Sequence, residues 1–358
     1  MKKNLHFVYS LPDLKGYLRG IEYLAKQVNA SLKGSYYSSL DWPRPIQAPF
    51  SISYNICKDL SKFYNLRLYN IQDTRDLNLG KNDIFLGHAW PDFKHMESGN
   101  NAWRTYDPNQ ITNKVILKYP NDSRVNIMGP FNHSLEQTAW MEPLYEKMST
   151  FIGISGDYWF DNLSDYPLSS KIANFQHLNM AINQKDYPLL KSKFSEKGKR
   201  KFIYIGRLSN EKNVELLESL AKNVDFEGGY ISDGDGLKGW KKLSDFRPLS
   251  AQFMKFIVKE YDVFVSASKF DAQATTVLEA MCWGLMILCT KESGYSHESI
   301  FPLDLHNETF NNKQILDIQE MDENELREYQ RQNLTLIKTK YSWDRFNLNL
   351  TNILNIYE

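Results

Sequence analysis

Two carboxylates eight positions apart, Asp271 and Glu279, lie in the stretch whose residue types most clearly could do chemistry. Residues 263–265 are apolar and rich in β-branched side chains, which predicts a buried strand, and residues 266–271 predict a polar loop. Apolar side chains then recur at helical spacing until Gly284, a residue type that commonly ends a helix. A helix that begins beside a loop offers free N–H groups to an anion, whereas carboxylates bind sugar hydroxyls. The stretch therefore predicts a phosphate cradle between two hydroxyl-binding groups.

A second constellation, earlier in the chain, is basic. Residues 202–206 predict a strand that ends in Gly206, and Arg207 and Lys212 follow it. A glycine at a strand end lets the backbone approach a ligand, and a guanidinium can bind phosphate through two parallel hydrogen bonds. Lys212 adds a second positive charge near the start of the next predicted helix. This pattern predicts a second group of phosphate contacts.

Together the two motifs resemble the signature of the retaining glycosyltransferases of family four, which have the GT-B fold. The Gly-Arg-Leu turn with its trailing Lys212 matches the family's basic loop. The Glu-Ala-Met-x-x-Gly run that begins at Glu279 matches the end of its acidic motif. Asp271 stands where the family usually has Glu, and residues 272–274 replace its Gly-aromatic-Gly.

The resemblance implies a role for each of these residues. Arg207 and Lys212 would neutralise the diphosphate of a nucleotide-sugar donor, Asp271 would hold sugar hydroxyls, and Glu279 would bind the ribose. The other implied donor-binding positions, close to the sugar and phosphates, are Gly206, Ala272, Gln273, Ala274 and Thr275.

Three residues outside the two motifs are further candidates. His88 ends a predicted strand and matches a family histidine near the reacting sugar, which makes it the fourth implied catalytic residue. His133 follows another predicted strand and is a candidate for the acceptor side. Arg247 follows a predicted loop and is a candidate contact for the nucleotide base.

The run Asp233-Gly-Asp235 admits two interpretations. Paired carboxylates after a strand can bind a divalent cation, but Asp and Gly also stabilise tight turns. Arg207 and Lys212 already supply positive charge, and the run resembles the family's Gly-Asp-Gly turn. We therefore expect a turn here, no metal, and no cofactor besides the nucleotide-sugar co-substrate.

The elements that position these residues follow an α/β pattern. Predicted strands alternate with predicted helices along the chain, which indicates open parallel sheets with ligands beyond the carboxyl ends of the strands. Residues 135–148 predict one helix and residues 91–112 predict loops. Residues 175–183 and 293–298 resemble two further family loops.

The chain divides at a basic segment. Residues 184–201 are basic, rich in lysine and weakly periodic, which predicts a linker whose lysines face solvent. We expect an N-terminal acceptor-binding Rossmann-like domain at 1–180 and a nucleotide-sugar-binding Rossmann-like domain at 181–340. Residues 341–358 would form a helix that packs back on the first domain. The predicted fold class is α/β, GT-B, with two Rossmann-like domains facing each other across a cleft.

Composition excludes some functions. The 358 residues suit two domains of ordinary size. Lys and Arg number 43, as do Asp and Glu, so there is no basic excess of the kind that a nucleic-acid partner usually requires. Three cysteines, without metal spacing, indicate a reducing compartment, and Cys282 and Cys289 lie in apolar runs. The first residues are too short and polar a stretch for a signal peptide.

The expected activity is transfer of a sugar from a UDP- or GDP-sugar to a glycan or glycolipid, with retention by front-side displacement and a role in bacterial cell-surface polysaccharide assembly. We expect a cytoplasmic protein, with peripheral contact at the inner membrane face left open, since no apolar run approaches the roughly 20 residues of a membrane helix. Two alternatives remain, a GT-B sugar-nucleotide epimerase and a degenerate GT-B binding protein.

Overall fold

The computed structural model describes residues 2–9, 52, 55–57, 59–71, 73–88, 107–245 and 251–355. Within this part of the chain, two parallel sheets of six strands each follow one another. Short apolar runs form the strands, because strands covered on both faces bury every side chain. The five residues of Thr150–Ile154, for example, are all buried.

The first sheet has the strand order β2-β1-β3-β4-β5-β6. Its strands are β1 (Asn4–Tyr9), β2 (Asn65–Asn70), β3 (Ile84–His88), β4 (Val125–Pro130), β5 (Thr150–Ile154) and β6 (Phe175–Leu178).

The second sheet has the order β12-β11-β10-β7-β8-β9. Its strands are β7 (Phe202–Ile205), β8 (Gly228–Ile231), β9 (Lys241–Ser244), β10 (Val263–Ser266), β11 (Met286–Thr290) and β12 (Phe301–Leu303). Strands β7 and β10 are neighbours, with Val263 opposite Phe202. The loops that follow these two strands therefore leave the sheet side by side.

Helices connect and cover the strands. They are α1 (Ile111–Lys118), α2 (Leu135–Thr138), α3 (Glu142–Tyr145), α4 (Asp157–Asp161), α5 (Val214–Asn223), α6 (Ala251–Glu260), α7 (Thr275–Trp283), α8 (Glu308–Glu320), α9 (Glu323–Thr339) and α10 (Trp343–Asn355), and residues 55–57 and 59–60 are also helical. Helix α7 ends as predicted, at Gly284 in the left-handed conformation with φ 89°. In the described part of the chain, no helix is both long and apolar enough to cross a membrane.

The single helix predicted over residues 135–148 is wrong. This segment forms α2, a 3-10 turn and α3, with Pro143 in the first turn of α3. Proline lacks the N–H of a continuous helix and fits the first turn of a new one. The loop predicted up to residue 112 also ends early, because α1 begins at Ile111.

The prediction that the lysines of residues 184–201 face solvent is wrong for Lys191. Its side chain is 1% exposed, and its ammonium lies 2.8 Å from the carboxylate of Asp262, which is 0% exposed. The ammonium also donates to the carbonyl of Tyr261 at 2.8 Å. Burial lowers the pKa of Lys191, and the Asp262 carboxylate opposes that shift. Residue spacing alone gave no sign of this partner 71 positions away.

The two sheets are joined by one hydrophobic cluster. It runs from Leu5 and Phe7 in the first sheet through Met180 and Ile182 to Ile203 in the second. The final helix α10 contributes side chains to the same cluster. Cys282 and Cys289 are buried and unpaired, as predicted.

Candidate active site

The basic loop begins where β7 ends, at Gly206. A Cβ at Gly206 would lie 2.8 Å from the hydroxyl oxygen of Tyr204, and this hydroxyl donates to the carbonyl of Arg207. The glycine therefore lets the loop close over the tyrosine. The Arg207 side chain is 74% exposed, and its guanidinium lies 3.0 Å from the Glu211 carboxylate. Arg207 is thus an exposed cation beside the loop.

Lys212 is placed by a short 3-10 turn, Asn210–Lys212, that precedes α5. Asn213 follows in the left-handed conformation, with φ 56°, which asparagine tolerates better than most residues. The ammonium of Lys212 donates to the Asp271 carboxylate. The two side chains are 19% and 18% exposed, so the pair remains open to a ligand.

The Lys212–Asp271 pair unites the two predicted motifs. The residues are 59 positions apart, and the adjacency of β7 and β10 brings their loops together. A cation beside a carboxylate offers two different contacts at one point, one for a phosphate oxygen and one for sugar hydroxyls.

The loop that carries Asp271 is fixed by its backbone. The N–H of Asp271 donates to the carbonyl of Glu292 at 2.9 Å, and the N–H of Ala274 donates to the carbonyl of Ser293 at 3.1 Å. The N–H of Ala274 therefore already has an internal acceptor, and the expectation that Ala274 binds the donor stays a prediction. The carbonyl of Ala272 accepts from the N–H of Gly156 at 2.6 Å. Gly156 follows β5 in the part of the chain that forms the first sheet, which we call the first sheet's half; the part that forms the second sheet, from β7 onward, is the second sheet's half.

Gln273, another predicted donor-binding residue, joins the two halves. Its side-chain oxygen accepts from the N–H of Met180, and its amide nitrogen donates to the Asn179 side chain at 3.0 Å. The buried side chain of Gln273 therefore fixes the loop to residues 179–180. Thr275 begins α7 and is partly exposed, as a donor contact requires.

Glu279 lies on the second turn of α7. Its carboxylate accepts from the hydroxyl of Tyr187 at 3.3 Å. The residue keeps partial exposure, but burial raises the pKa of its carboxyl group to about 7. Near neutral pH the group therefore exists in both protonation states, and a ribose hydroxyl that donates to it favours the ionised one.

The two candidate histidines lie at strand ends of the first sheet. His88 ends β3 and is 1% exposed, and burial lowers its pKa to about 4. Its ring is thus neutral at pH 7. The ring of His133 is half-buried, and its Nε2–H donates to the carbonyl of Trp159 at 2.8 Å. Burial lowers the pKa of His133 as well, so this ring acts as a neutral donor to the backbone.

The remaining candidates are Arg247, the expected base contact, and the Asp233–Asp235 run. Arg247 lies outside the described residues. Asp235 lies in the glycine-rich turn that follows β8, and its carboxylate forms an ion pair with Lys242 on β9. Among the described residues, no group of three or more His, Cys, Asp or Glu side chains is arranged to hold a metal ion.

Comparison with known proteins gives a likeness in structure but not in sequence. No protein-family model and no curated protein matches the chain. Sucrose-phosphate synthase from Thermosynechococcus elongatus is 10% identical, with a TM-score of 0.57 over 98% of each chain. WaaG, a glycosyltransferase involved in lipopolysaccharide biosynthesis, is 13% identical, with a TM-score of 0.51 over 99% of this chain and 100% of that one.

TarM is similar over part of its length. It is 13% identical with a TM-score of 0.52, and the match covers 86% of this chain but 59% of TarM. The two full-length likenesses include both sheets in their order along the chain. The chain has the GT-B fold. In open parallel sheets, ligands bind beyond the carboxyl ends of the strands, which is where Lys212 and Asp271 meet.

The candidate site also contains Trp159 and Tyr187, which sequence reasoning missed. The indole N–H of Trp159, from the first sheet's half, donates to the carbonyl of Asp271 at 2.6 Å. Tyr187 bonds to Glu279, and Asn179 bonds to Gln273. For Trp159 the available signal was position, since it follows β5 at the carboxyl edge of the sheet. Asn179 lies in the segment 175–183 that resembles a family loop, but its bond to Gln273 was not predicted.

Proposed function

We propose that this protein is a retaining, metal-independent glycosyltransferase that transfers a sugar from a UDP- or GDP-sugar to a glycan or glycolipid acceptor. The GT-B fold supports the class of enzyme. The WaaG likeness, although it concerns the fold alone, agrees with a role in bacterial cell-surface polysaccharide assembly.

One observation carries the proposal: Lys212 and Asp271, distant in the sequence, form an ion pair at the ends of adjacent strands. A buried structural ion pair would leave no room for substrate, but both side chains keep nearly a fifth of their surface exposed. Arg207 adds a cation on the same loop, and Glu279 adds a carboxylate one helix turn beyond Thr275. The set suits a molecule that has phosphates at its centre and hydroxyls on either side.

In the proposed reaction, the bond between the anomeric carbon and the phosphate oxygen breaks, and negative charge develops on the nucleotide. Fixed cations lower the barrier because they stabilise this charge without reorganising. Lys212 and Arg207 would supply them, together with the N-terminus of α7. Asp271 would orient the sugar through its hydroxyls, and Glu279 would hold the ribose. The acceptor hydroxyl would attack the anomeric carbon from the side of the leaving group and pass its proton to the departing phosphate oxygen.

These cations also make a metal unnecessary in the proposal. Many transferases neutralise a diphosphate with a divalent ion held by carboxylates. In this proposal Lys212 and Arg207 would supply that positive charge instead. The Asp-x-Asp pair of the sequence analysis, Asp233 and Asp235, lies on exposed turn positions, and Asp235 forms an ion pair with Lys242.

The test is a thermal-shift screen with UDP, GDP, ADP and their common sugars, with and without EDTA. Wild type would be compared with Arg207→Ala and with Lys242→Ala, which removes a cation from the same half but outside the proposed site. We expect one nucleotide to raise the melting temperature of wild type and Lys242→Ala, independently of EDTA, and to lose most of that effect with Arg207→Ala.

Other outcomes distinguish the alternatives. Stabilisation that disappears with EDTA would contradict metal independence. No shift with any nucleotide would favour a degenerate binding protein. Conversion of a bound nucleotide sugar into its epimer, without nucleotide release, would identify an epimerase.

A further inference from the structure

A four-residue segment of the first sheet's half touches the loop that carries Asp271. It comprises residues 156–159, at the end of β5 and the start of α4. The N–H of Gly156 donates to the carbonyl of Ala272 at 2.6 Å. Three residues later, the indole N–H of Trp159 donates to the carbonyl of Asp271, also at 2.6 Å. Two consecutive carbonyls of the loop are therefore held from the opposite half of the molecule.

The contact by Trp159 involves its ring as well as its N–H. The indole stacks on the ring of Phe270, with 6.2 Å between centroids and 21° between planes. Trp159 is 2% exposed, so water has little access to the hydrogen bond. A donor in such a place is hard to replace, because the carbonyl it serves would be left unsatisfied.

Trp159 is itself held in place by His133. The Nε2–H of His133 donates to the backbone carbonyl of Trp159 at 2.8 Å. The two rings also meet edge to face, with centroids 5.0 Å apart. His133 thus fixes both the backbone and the ring of the tryptophan.

We propose that Trp159, braced by His133, is a positioning residue for the Asp271 carboxylate; this inference rests on the proposed function of the site. The backbone of Asp271 has two anchors, one on each side of its Cα. Its N–H bonds to Glu292 within the second sheet's half, and its C=O bonds to Trp159 from the first. The two anchors leave the backbone little freedom to rotate. They hold the carboxylate beside Lys212, because the side chain leaves from the Cα between them.

This arrangement assigns His133 a task other than the acceptor contact that its sequence position suggested. The Nε2–H of His133 already donates to the Trp159 carbonyl. His133 acts on the reaction through Trp159 and Asp271, over two hydrogen bonds. A displacement of about 1 Å near the reacting atoms can reduce a rate on the order of 100-fold, so even an indirect constraint affects turnover.

The first test replaces Trp159 by Phe, which keeps a ring against Phe270 and removes the N–H. The matched control is Trp240→Phe, because the indole of Trp240 donates to the carbonyl of Leu217 at 2.8 Å, wholly within the second sheet's half. Both variants lose one bond between an indole and a backbone carbonyl. Of the two tryptophans, only Trp159 contacts the loop that carries Asp271.

Two quantities would be measured for each variant. Hydrogen exchange of the peptide that spans residues 266–276 reports the order of the loop, and kcat and KM for the nucleotide sugar report its function. For Trp159→Phe we expect exchange to accelerate about 10-fold and kcat to fall about 10-fold, the effect of one hydrogen bond of moderate strength. KM should change less than about twofold, because the phosphate contacts stay. Trp240→Phe should leave both quantities at their wild-type values.

His133 offers a second, independent comparison. His133→Phe keeps a ring but loses the donor, whereas His133→Gln keeps an N–H donor. We expect His133→Phe to accelerate loop exchange and lower kcat, but less than Trp159→Phe does. His133→Gln should bring both quantities most of the way back to their wild-type values.

The inference is overturned if Trp159→Phe leaves loop exchange unchanged, or if Trp240→Phe changes exchange and kcat as much. An enzyme that is inactive on every nucleotide sugar would instead contradict the proposed function. Loop exchange would then still decide whether Trp159 positions Asp271, since that measurement needs no substrate.

Discussion

At the scale of single residues, the site depends on one cation and one carboxylate that neutralise each other in the absence of ligand. Lys212 and Asp271 are both mostly but not wholly buried. A pair of this kind keeps two charged groups ready at a modest desolvation cost, because each compensates the other. A phosphate that approaches Lys212 frees the carboxylate for hydroxyls, so donor binding would use both partners at once.

Lys212→Ala should lower kcat/KM for the donor by about 100- to 1,000-fold, as for the loss of one fixed charge-stabilising group. The variant also leaves Asp271 without its cation. Lys242→Ala, which disrupts the ion pairs to Asp235 and Asp245, serves as control and should retain wild-type kinetics. Retention of half the activity by Lys212→Ala would exclude it from the reaction.

Glu279 predicts a pH dependence of nucleotide binding. Its pKa of about 7 means that the ionised fraction grows from about one-tenth at pH 6 to about nine-tenths at pH 8. If Glu279 binds the ribose as proposed, the ribose hydroxyls donate to its ionised form, and the Kd for the nucleotide should fall by up to about tenfold over that range. Titration calorimetry would show this, and Glu279→Gln should bind with a nearly constant Kd.

The same shift affects stability with a defined sign. The folded state holds this proton more tightly than the unfolded chain does, since its pKa rises from 4.5 to about 7. The contribution of Glu279 to stability is therefore fully present below pH 4.5 and is lost as the pH rises through 7. Glu279→Gln should remove this loss, whereas exposed Glu320→Gln should not. A nucleotide affinity of wild type that is flat with pH would contradict the assigned role.

At the scale of elements, the segment between the sheets is a structural part of the second sheet's half. The N–H groups of Leu190 and Lys191 both donate to the carbonyl of Trp283, at the end of α7. The Lys191 ammonium reaches Asp262, just before β10. The segment therefore supports the same two elements, β10 and α7, that carry Asp271 and Glu279.

Lys191→Met should destabilise the protein by about 3–5 kcal/mol, because it leaves the Asp262 carboxylate buried without its cation. Urea unfolding would measure the change. Lys199→Met removes an exposed cation from the same segment, whose partner Glu196 is also exposed, and should cause no measurable change. Equal stability of the two variants would show that the buried pair contributes nothing.

Elements differed in how well the sequence predicted them. Strand β7 is apolar throughout and β10 begins with three apolar residues, so hydrophobic runs located both strands and the motifs at their ends. Helix α8 was missed because it buries Asn311 and Gln319 beside few apolar residues, which weakens the helical stripe. Strand β9, with the sequence Lys-Lys-Leu-Ser, lies at a sheet edge and lacks the apolar run of a central strand.

The candidate site was predictable only in part, for a physical reason. The types and order of Arg207, Lys212, Asp271 and Glu279 mark them locally, within their own loops and helix. The bonds from Trp159 to Asp271 and from Gln273 to Asn179 cross 112 and 94 positions of the chain. Such contacts arise from the packing of two sheets, and nothing in the local sequence of either partner records them.

At the scale of the whole molecule, the first and second sheets' halves contact each other where the backbone of Gly156 lies against that of Gly294. The Cβ of any larger residue at Gly156 would overlap the backbone of Gly294, and Gly294 itself has a φ of 90°. Close approach of the two backbones is what allows Gly156 to bond to Ala272. On the far side of the same segment, Asp157 forms an ion pair with Lys340.

Gly156→Ala should therefore separate the halves at this point. Since the overlap is with backbone, no side-chain rotation can relieve it, and we expect a destabilisation of about 1–3 kcal/mol. Small-angle scattering should show a larger radius of gyration. Gly234→Ala is the control, because its Cβ would meet only the flexible side chain of Leu208 at 3.3 Å. Unchanged stability and size for Gly156→Ala would contradict the close contact.

The central claim, retaining sugar transfer from a nucleotide donor, is tested most directly by watching which anomer the protein releases. Proton NMR would follow hydrolysis of the α-linked UDP- or GDP-sugar that binds, from the first minutes, before the free sugar mutarotates, and it requires no acceptor. The account predicts nucleotide release with the α-anomer as first product, and loss of both signals with Lys212→Ala. First formation of the β-anomer, or no nucleotide release from any bound donor, would contradict it.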